Sequence, residues 1–352
     1  MMTRTYIRAA SCISAQHTFE TEAFLNDVTA YTGTRLTAIE PDYKSFIDPK
    51  QIRRMSRVIK MGVTAAQVCL KNGGVDMPGA IITGTAYGCI EDTVTFLTRI
   101  IEMQEEMLPP TSFIQSTHNT VAAQIALMLQ CHSYNNTFVH KGVSFENALV
   151  DALMLLNEGD ADNILVGGTD EMTDAAFKIL SRLGLYRRWP VSNLGLYQPA
   201  GNGTIGGEGA AFCLLSSQKN QTNLAELTGV KTFFKLGDTK AIEEQISRFL
   251  AMHALTMADI DLVITGRNGD TRNDAVYDNL AVYFGGAKTG NYKHLCGEYP
   301  TSTAFALWLA ANCIKKGTVP ATVAQSKVQP KKVLIYNHYF NTYHSLMLLT
   351  AC

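Results

Sequence analysis

Nowhere does this sequence run to about eighteen apolar residues without a charge, so no segment of it is expected to cross a membrane as a helix. Its start, Met1-Met2-Thr3-Arg4-Thr5-Tyr6-Ile7-Arg8, lacks the apolar core of a secretory leader. Charge is scarce as well, at 17%, and nearly balanced. A formal net charge of −1 excludes whole-chain attraction to nucleic acid or to acidic lipid. Paired cysteines are missing. The eight stand singly at Cys12, Cys69, Cys89, Cys131, Cys213, Cys296, Cys313 and Cys352, without the spacing of a zinc or dithiol site. Buried free thiols, no metal, no cofactor and a cytoplasmic location are therefore expected. What remains is a 352-residue chain with 46% hydrophobic content, enough for a large core or for two fused halves.

Apolar spacing predicts helices over 51–70, 91–107, 119–129, 144–157, 240–252, 274–284 and 302–314. Short apolar runs predict strands at 80–88, where the run ends in a glycine turn, and at 137–139, 163–166 and 261–264, with a last strand pair around 333–336. Strands alternating with helices call for a mostly parallel sheet covered on both faces, an α/β fold. The polar stretch 216–223 separates two halves, 1–217 and 224–352. Residues 1–50 carry no recognisable motif.

Five ordered segments carry a resemblance. They are Arg53-Arg54-Met55-Ser56-Arg57, the stretch 110–126, the turn 158–162, Val166-Gly167-Gly168-Thr169-Asp170-Glu171, and 203–215 with its Gly206-Gly207-Glu208-Gly209. Together they resemble the β-ketoacyl synthase family. The resemblance implies a thiolase-like fold, two similar halves in a five-layer αβαβα arrangement. It also implies an acyltransferase chemistry in which a cysteine opens the helix ending at the Gly159-Asp160-Ala161-Asp162 turn. Seventeen residues before Gly159, that position holds Gly142. A cysteine at a helix N-terminus has a lowered pKa, and two histidines stabilise the thioester oxyanion. The positions that match those histidines hold Gly266 and Glu298, while the family's lysine survives as Lys293. A carboxylate has the wrong sign to stabilise an oxyanion. The glycine-rich loop near the C-terminus is matched only by Asn337 and by aromatic character through Tyr343.

These departures imply a catalytically degenerate member of the chain-length-factor type, paired with an active ketosynthase in fatty-acid, polyketide or aryl-polyene-like synthesis. An acyl carrier protein is the further partner, a homodimer the fallback, and strand 137–139 the expected dimer edge. Losing a nucleophile from a covalent machine costs on the order of a millionfold. The alternatives are an acyltransferase or hydrolase with a relocated nucleophile, Ser144 or Cys296, and a carrier-binding scaffold using Arg53, Arg54, Arg57 and Lys60. Ser144 has His140 or Lys141 as candidate bases, but more readily caps a helix. Cys296 with His338 or His344 is weaker than a buried structural thiol. His118 reads as a core histidine. Lys141 and Glu298 are expected to fill and close the old site. Gly206–Gly209 reads as strand entry rather than a phosphate loop, and Glu102, Glu105 and Glu106 as a solvated face.

Overall fold

Buried strands alternating with helices build this molecule, and the order of the strands positions everything else. The computed structural model describes residues 3–198, 201–325 and 328–352; Met1 and Met2, part of the start considered above, lie outside them. Ten strands form one sheet: β1 (Tyr6–Ile13), β2 (Ala80–Gly84), β3 (Tyr134–Phe138), β4 (Asn163–Asp170), β5 (Gly209–Ser216), β6 (Ala225–Phe234), β7 (Leu262–Thr265), β8 (Lys288–Asn291), β9 (Lys332–Tyr339) and β10 (Tyr343–Thr350). The main helices are α1 (Arg57–Gly73), α2 (Ile90–Glu102), α3 (Thr120–Leu129), α4 (Ser144–Glu158), α5 (Asp174–Arg182), α6 (Thr239–Met252), α7 (Thr271–Phe284) and α8 (Thr303–Lys316).

In space the strands run β8-β7-β9-β10-β6-β1-β5-β4-β2-β3. The row divides into two sets of five with one plan. In the first, β3, β2 and β4 are parallel, and β5 runs antiparallel to β4 and to β1. In the second, β8, β7 and β9 are parallel, and β10 runs antiparallel to β9 and to β6. The sets join only where Tyr6 and Ile7 meet Glu226 and Ala225. Helices repeat too: α1 and α6 follow the first strand of each set, and α4 and α8 link its third to its fourth.

Apolar faces decide the layering. α8 is buried nearly all round, as a helix with apolar residues on every face must be. It packs with α4 between the two strand sets, where Phe145, Leu149, Phe305 and Leu309 join Ile164, Val166, Ile335 and Met347 in one core. Outside the first set lie α1 and α3, through Ile59, Val63, Ala66 and Val121. Outside the second lie α6 and α7, through Ile246, Phe249, Leu280 and Phe284. The result is the thiolase-like αβαβα arrangement. Each buried Leu, Ile or Phe contributes about 1.5–3 kcal/mol to holding the layers.

Some elements differ from expectation. The helix over 51–70 is broken: a short turn at Pro49–Ile52 ends, Met55 is buried, and α1 starts only after the extended Ser56. α2 stops at Glu102, five residues early, because Gln104, Glu105 and Met107 take positive φ. The strand around 137–139 is Tyr134–Phe138, and β4 continues to Asp170. β1, β6, β8 and α5 were not legible in the periodicity.

The ends of the sheet are unlike. β3 pairs with β2 alone, so its outer edge is bare among the described residues. The outer edge of β8 is covered: Asn291 N donates to Val323 O at 3.1 Å, and Gly290 lies against Val323.

Candidate functional site

Gly142 lies in the single turn Lys141–Val143 that leads into α4. It is buried, and the ring of Tyr339, at the end of β9, fills the space where its side chain would be. A Cβ built on Gly142 would overlap that ring. Lys141 does not close the site. It takes a positive φ of 49° and is exposed, so an aromatic ring fills the space that a charge was expected to fill. Removing an ammonium from water without a partner is costly, whereas a tyrosine ring loses little by burial. Ser144 is fully buried. Its Oγ accepts from His140 N at 2.7 Å and donates to Lys141 O at 2.8 Å. It thus ties the turn to the helix behind it, and the expected cap on the first-turn amides is not made.

Gly266 follows β7, and its N donates to Tyr336 O at 3.0 Å. Its missing side chain makes room for Asn337 Oδ1 and the Tyr277 hydroxyl. The chain then wraps around Asp274, whose carboxylate accepts from Asn268 N and Gly269 N at 2.9 Å each and from Arg267 Nε at 3.2 Å. This loop delivers Asn268 to Glu298. Glu298 Oε2 accepts from Asn268 Nδ2 at 2.7 Å and from Lys293 Nζ at 2.6 Å. Lys293 is 2% exposed, so the pair is buried and neither charge is left alone. Tyr87, Tyr186, Thr204, Tyr299, Tyr339 and Phe340 close around it, leaving a cavity of about 10 Å³. That holds one water at most. No cysteine or histidine lines it.

Two carboxylates frame this region. Asp170 is fully buried and takes five hydrogen bonds, from Thr85 Oγ1, Ala86 N, Tyr87 N, Thr301 N and Thr301 Oγ1, at 2.8–3.2 Å. It locks β4 to the loops after β2 and before α8. Glu146, in the first turn of α4, is buried and accepts from Ser345 Oγ at 2.8 Å, while its Oε2 has no partner. Burial pushes its carboxyl up to about 7, against the hydrogen bond from Ser345 and the charge of Lys293. Tyr339, Asp170 and Glu146 were not singled out from the sequence. In the sequence Glu146 is marked only by its place at a helix start, and it is the buried position of α4 that distinguishes it.

The other candidates are scattered. Cys296 is buried; its thiol lies 3.3 Å from Gly297 O, and burial pushes its pKa well up. His338 Nε2 meets Asn273 O at 3.0 Å and His344 Nδ1 meets the Tyr336 hydroxyl at 3.0 Å, so neither imidazole pairs with that thiol. His118 is exposed, contrary to the core position expected, because its segment lies over Gly88 on the surface. Of the basic stretch, only Arg53 and Arg54 are exposed. Arg57 turns inward to Glu208 and Glu40, and Lys60 lies over the Tyr43 ring. Glu208 also accepts from Ala38 N at 3.0 Å and Met172 N at 3.1 Å, so the glycine motif anchors three segments. Glu102, Glu105 and Glu106 are exposed. Among the described residues no group of acidic, histidine or cysteine side chains could hold a metal, and no helix is long and apolar enough to cross a membrane.

The sequence pattern of the beta-ketoacyl synthase N-terminal domain matches residues 34–223, more than half of the chain. The chain belongs to the β-ketoacyl synthase family. The matched stretch holds Gly142 and Ser144, while Gly266, Lys293 and Glu298 lie beyond it. Solved structures of β-ketoacyl synthase relatives share the fold along the whole chain. The ishigamide ketosynthase/chain length factor superposes with a TM-score of 0.84 at 18% identity, covering all of both chains. The ketosynthase ApeO with its chain length factor ApeC, from Xenorhabdus doucetiae, gives 0.80 at 15% identity over 99% of this chain and 98% of that one. The type II polyketide complex AntDE:AntF, an acyl-carrier protein with its ketosynthase, gives 0.76 at 16% over all of both. No curated protein matches the sequence.

Proposed function

We propose that this chain is a catalytically degenerate β-ketoacyl synthase subunit of the chain-length-factor type, working in the cytoplasm beside an active ketosynthase and an acyl carrier protein. The observation that carries this is Tyr339 standing in the space of a side chain at Gly142. A thiolate has no room there, and the Glu298–Lys293 pair fills the region where oxyanion donors would be needed. The repeated strand plan supports the division into halves 1–217 and 224–352. The bare edge of β3, flanked by exposed Leu127 on α3 and Met154 on α4, supports a subunit partner at that edge. Relatives solved as ketosynthase with chain length factor, and as ketosynthase with carrier protein, agree with that choice. Relocated chemistry draws little support, since Ser144 Oγ meets only backbone groups and Cys296 is sealed from solvent.

The test is purification from the native host followed by native mass spectrometry and a condensation assay with carrier-bound acyl substrates. The expected result is a stoichiometric complex with a cysteine-bearing ketosynthase, no condensation by the isolated chain, and condensation by the complex. Condensation by the isolated chain, or self-association with no ketosynthase bound, would overturn the proposal.

A further inference from the structure

A second cavity, of about 380 Å³, opens beside the turn that carries Gly142. Its walls come from both halves: His140, Val143 and Asn147 around the start of α4, and Thr232, Phe233, Phe234 and Tyr343 from β6 and β10. The size is within the range of small-molecule sites. Aromatic rings dominate it. Phe234 and Tyr343 have centroids 5.1 Å apart, and His140 stands edge-on to Tyr343 at 5.1 Å. Asn147 Nδ2 and His140 Nδ1 are 3.2 Å apart, which fixes the imidazole against its neighbour. Phe234 is 57% exposed, a large apolar surface left to water.

One cation stands at this aromatic hollow: Lys235 Nζ lies 5.2 Å from the centroid of Phe234. Lys231, opposite Leu346 in the pairing of β6 with β10, shares the other face of the strand with Phe233. Lys235 forms no ion pair among the described residues, and no carboxylate lines the cavity. An unpaired ammonium over an aromatic ring favours an anion above it and a flat ring beside it.

We propose that this cavity binds a small aryl carboxylate, its ring against Phe234 and Tyr343 and its carboxylate at the ammonium group of Lys235. The site is separate from the filled region at Gly142 and does not depend on the function proposed above. Calorimetric titration of the full chain with 2-naphthoate tests it, with 2-naphthamide and octanoate as comparison probes. Saturable binding of naphthoate is expected, about tenfold tighter than the amide or the alkyl acid. Phe234→Ala, at an exposed position that leaves the core intact, is expected to weaken it about tenfold. Lys235→Gln is expected to erase the preference over the amide. Absence of saturation, equal binding of amide and carboxylate by the unaltered chain, or no response to either substitution would overturn the proposal.

Discussion

Glu146 places a fully buried carboxyl in the first turn of α4, with one oxygen bonded and the other without a partner. Its folded pKa, raised to about 7 by burial, exceeds that of the unfolded chain. Glu171 is raised to about 7 as well, by burial and by the nearby carboxylates of Asp92 and Glu208. For both, the folded state holds a proton that the unfolded state has released. Their stabilising contribution is therefore full below about pH 4.5 and is lost as the pH rises through 7. Glu146→Gln is expected to raise the melting temperature at pH 8 by a few degrees and to flatten its decline between pH 5 and 8. Thermal unfolding across that range checks it, and a variant with the parent's slope would refute the assignment. At this scale the sequence told part of the story. That Glu298 would need a cation was legible, because a buried charge must be paired, but the partner expected beside it was Lys141 and the one found is Lys293. Tyr339 was not legible, because nothing in an aromatic-rich strand end says which ring turns inward.

Elements are held less by their own propensities than by a few buried polar ties. Arg57 opens α1 and bonds Glu208 with two nitrogens, while Glu208 is 2% exposed and also holds Ala38 and Met172. Removing the guanidinium leaves a buried carboxylate uncompensated, a loss of about 3–5 kcal/mol. Arg57→Ala is thus expected to lower the denaturation midpoint strongly, and Glu208→Gln made in the same chain to recover part of it. A denaturant titration of the single and double variants measures both. Helices with clean apolar spacing, such as α6 and α8, were readable to within a few residues. The break before α1 was not, because Arg53 and Arg54 suit a helix well, and the new start is marked only by Ser56, extended at the N-cap. β8 was missed for a different reason: Lys288-Thr289-Gly290-Asn291 has almost no apolar content, and neighbouring strands alone make it extended.

Across the whole molecule, the bare edge of β3 is the feature on which the proposed association rests. Along Tyr134–Phe138 the outward backbone groups meet no second strand among the described residues, and Thr137 N donates instead to Asn136 Oδ1 at 2.9 Å. Thr137→Pro, which removes one donor from that edge, is expected to abolish partner binding in native mass spectrometry. Thr137→Val, which keeps every backbone donor, is expected to leave binding intact. Loss in both variants would point to the side chain instead, and survival in both would move the interface elsewhere. The fold class was legible from alternating elements, and its layered, duplicated form from resemblance. The unlike sheet ends were not, since Val323 lies far along the chain from β8. That asymmetry sets a valency. A sheet with two open ends can grow chain upon chain into a fibre, whereas one with a single open end saturates at a pair, so an association made through β3 would stop at two chains.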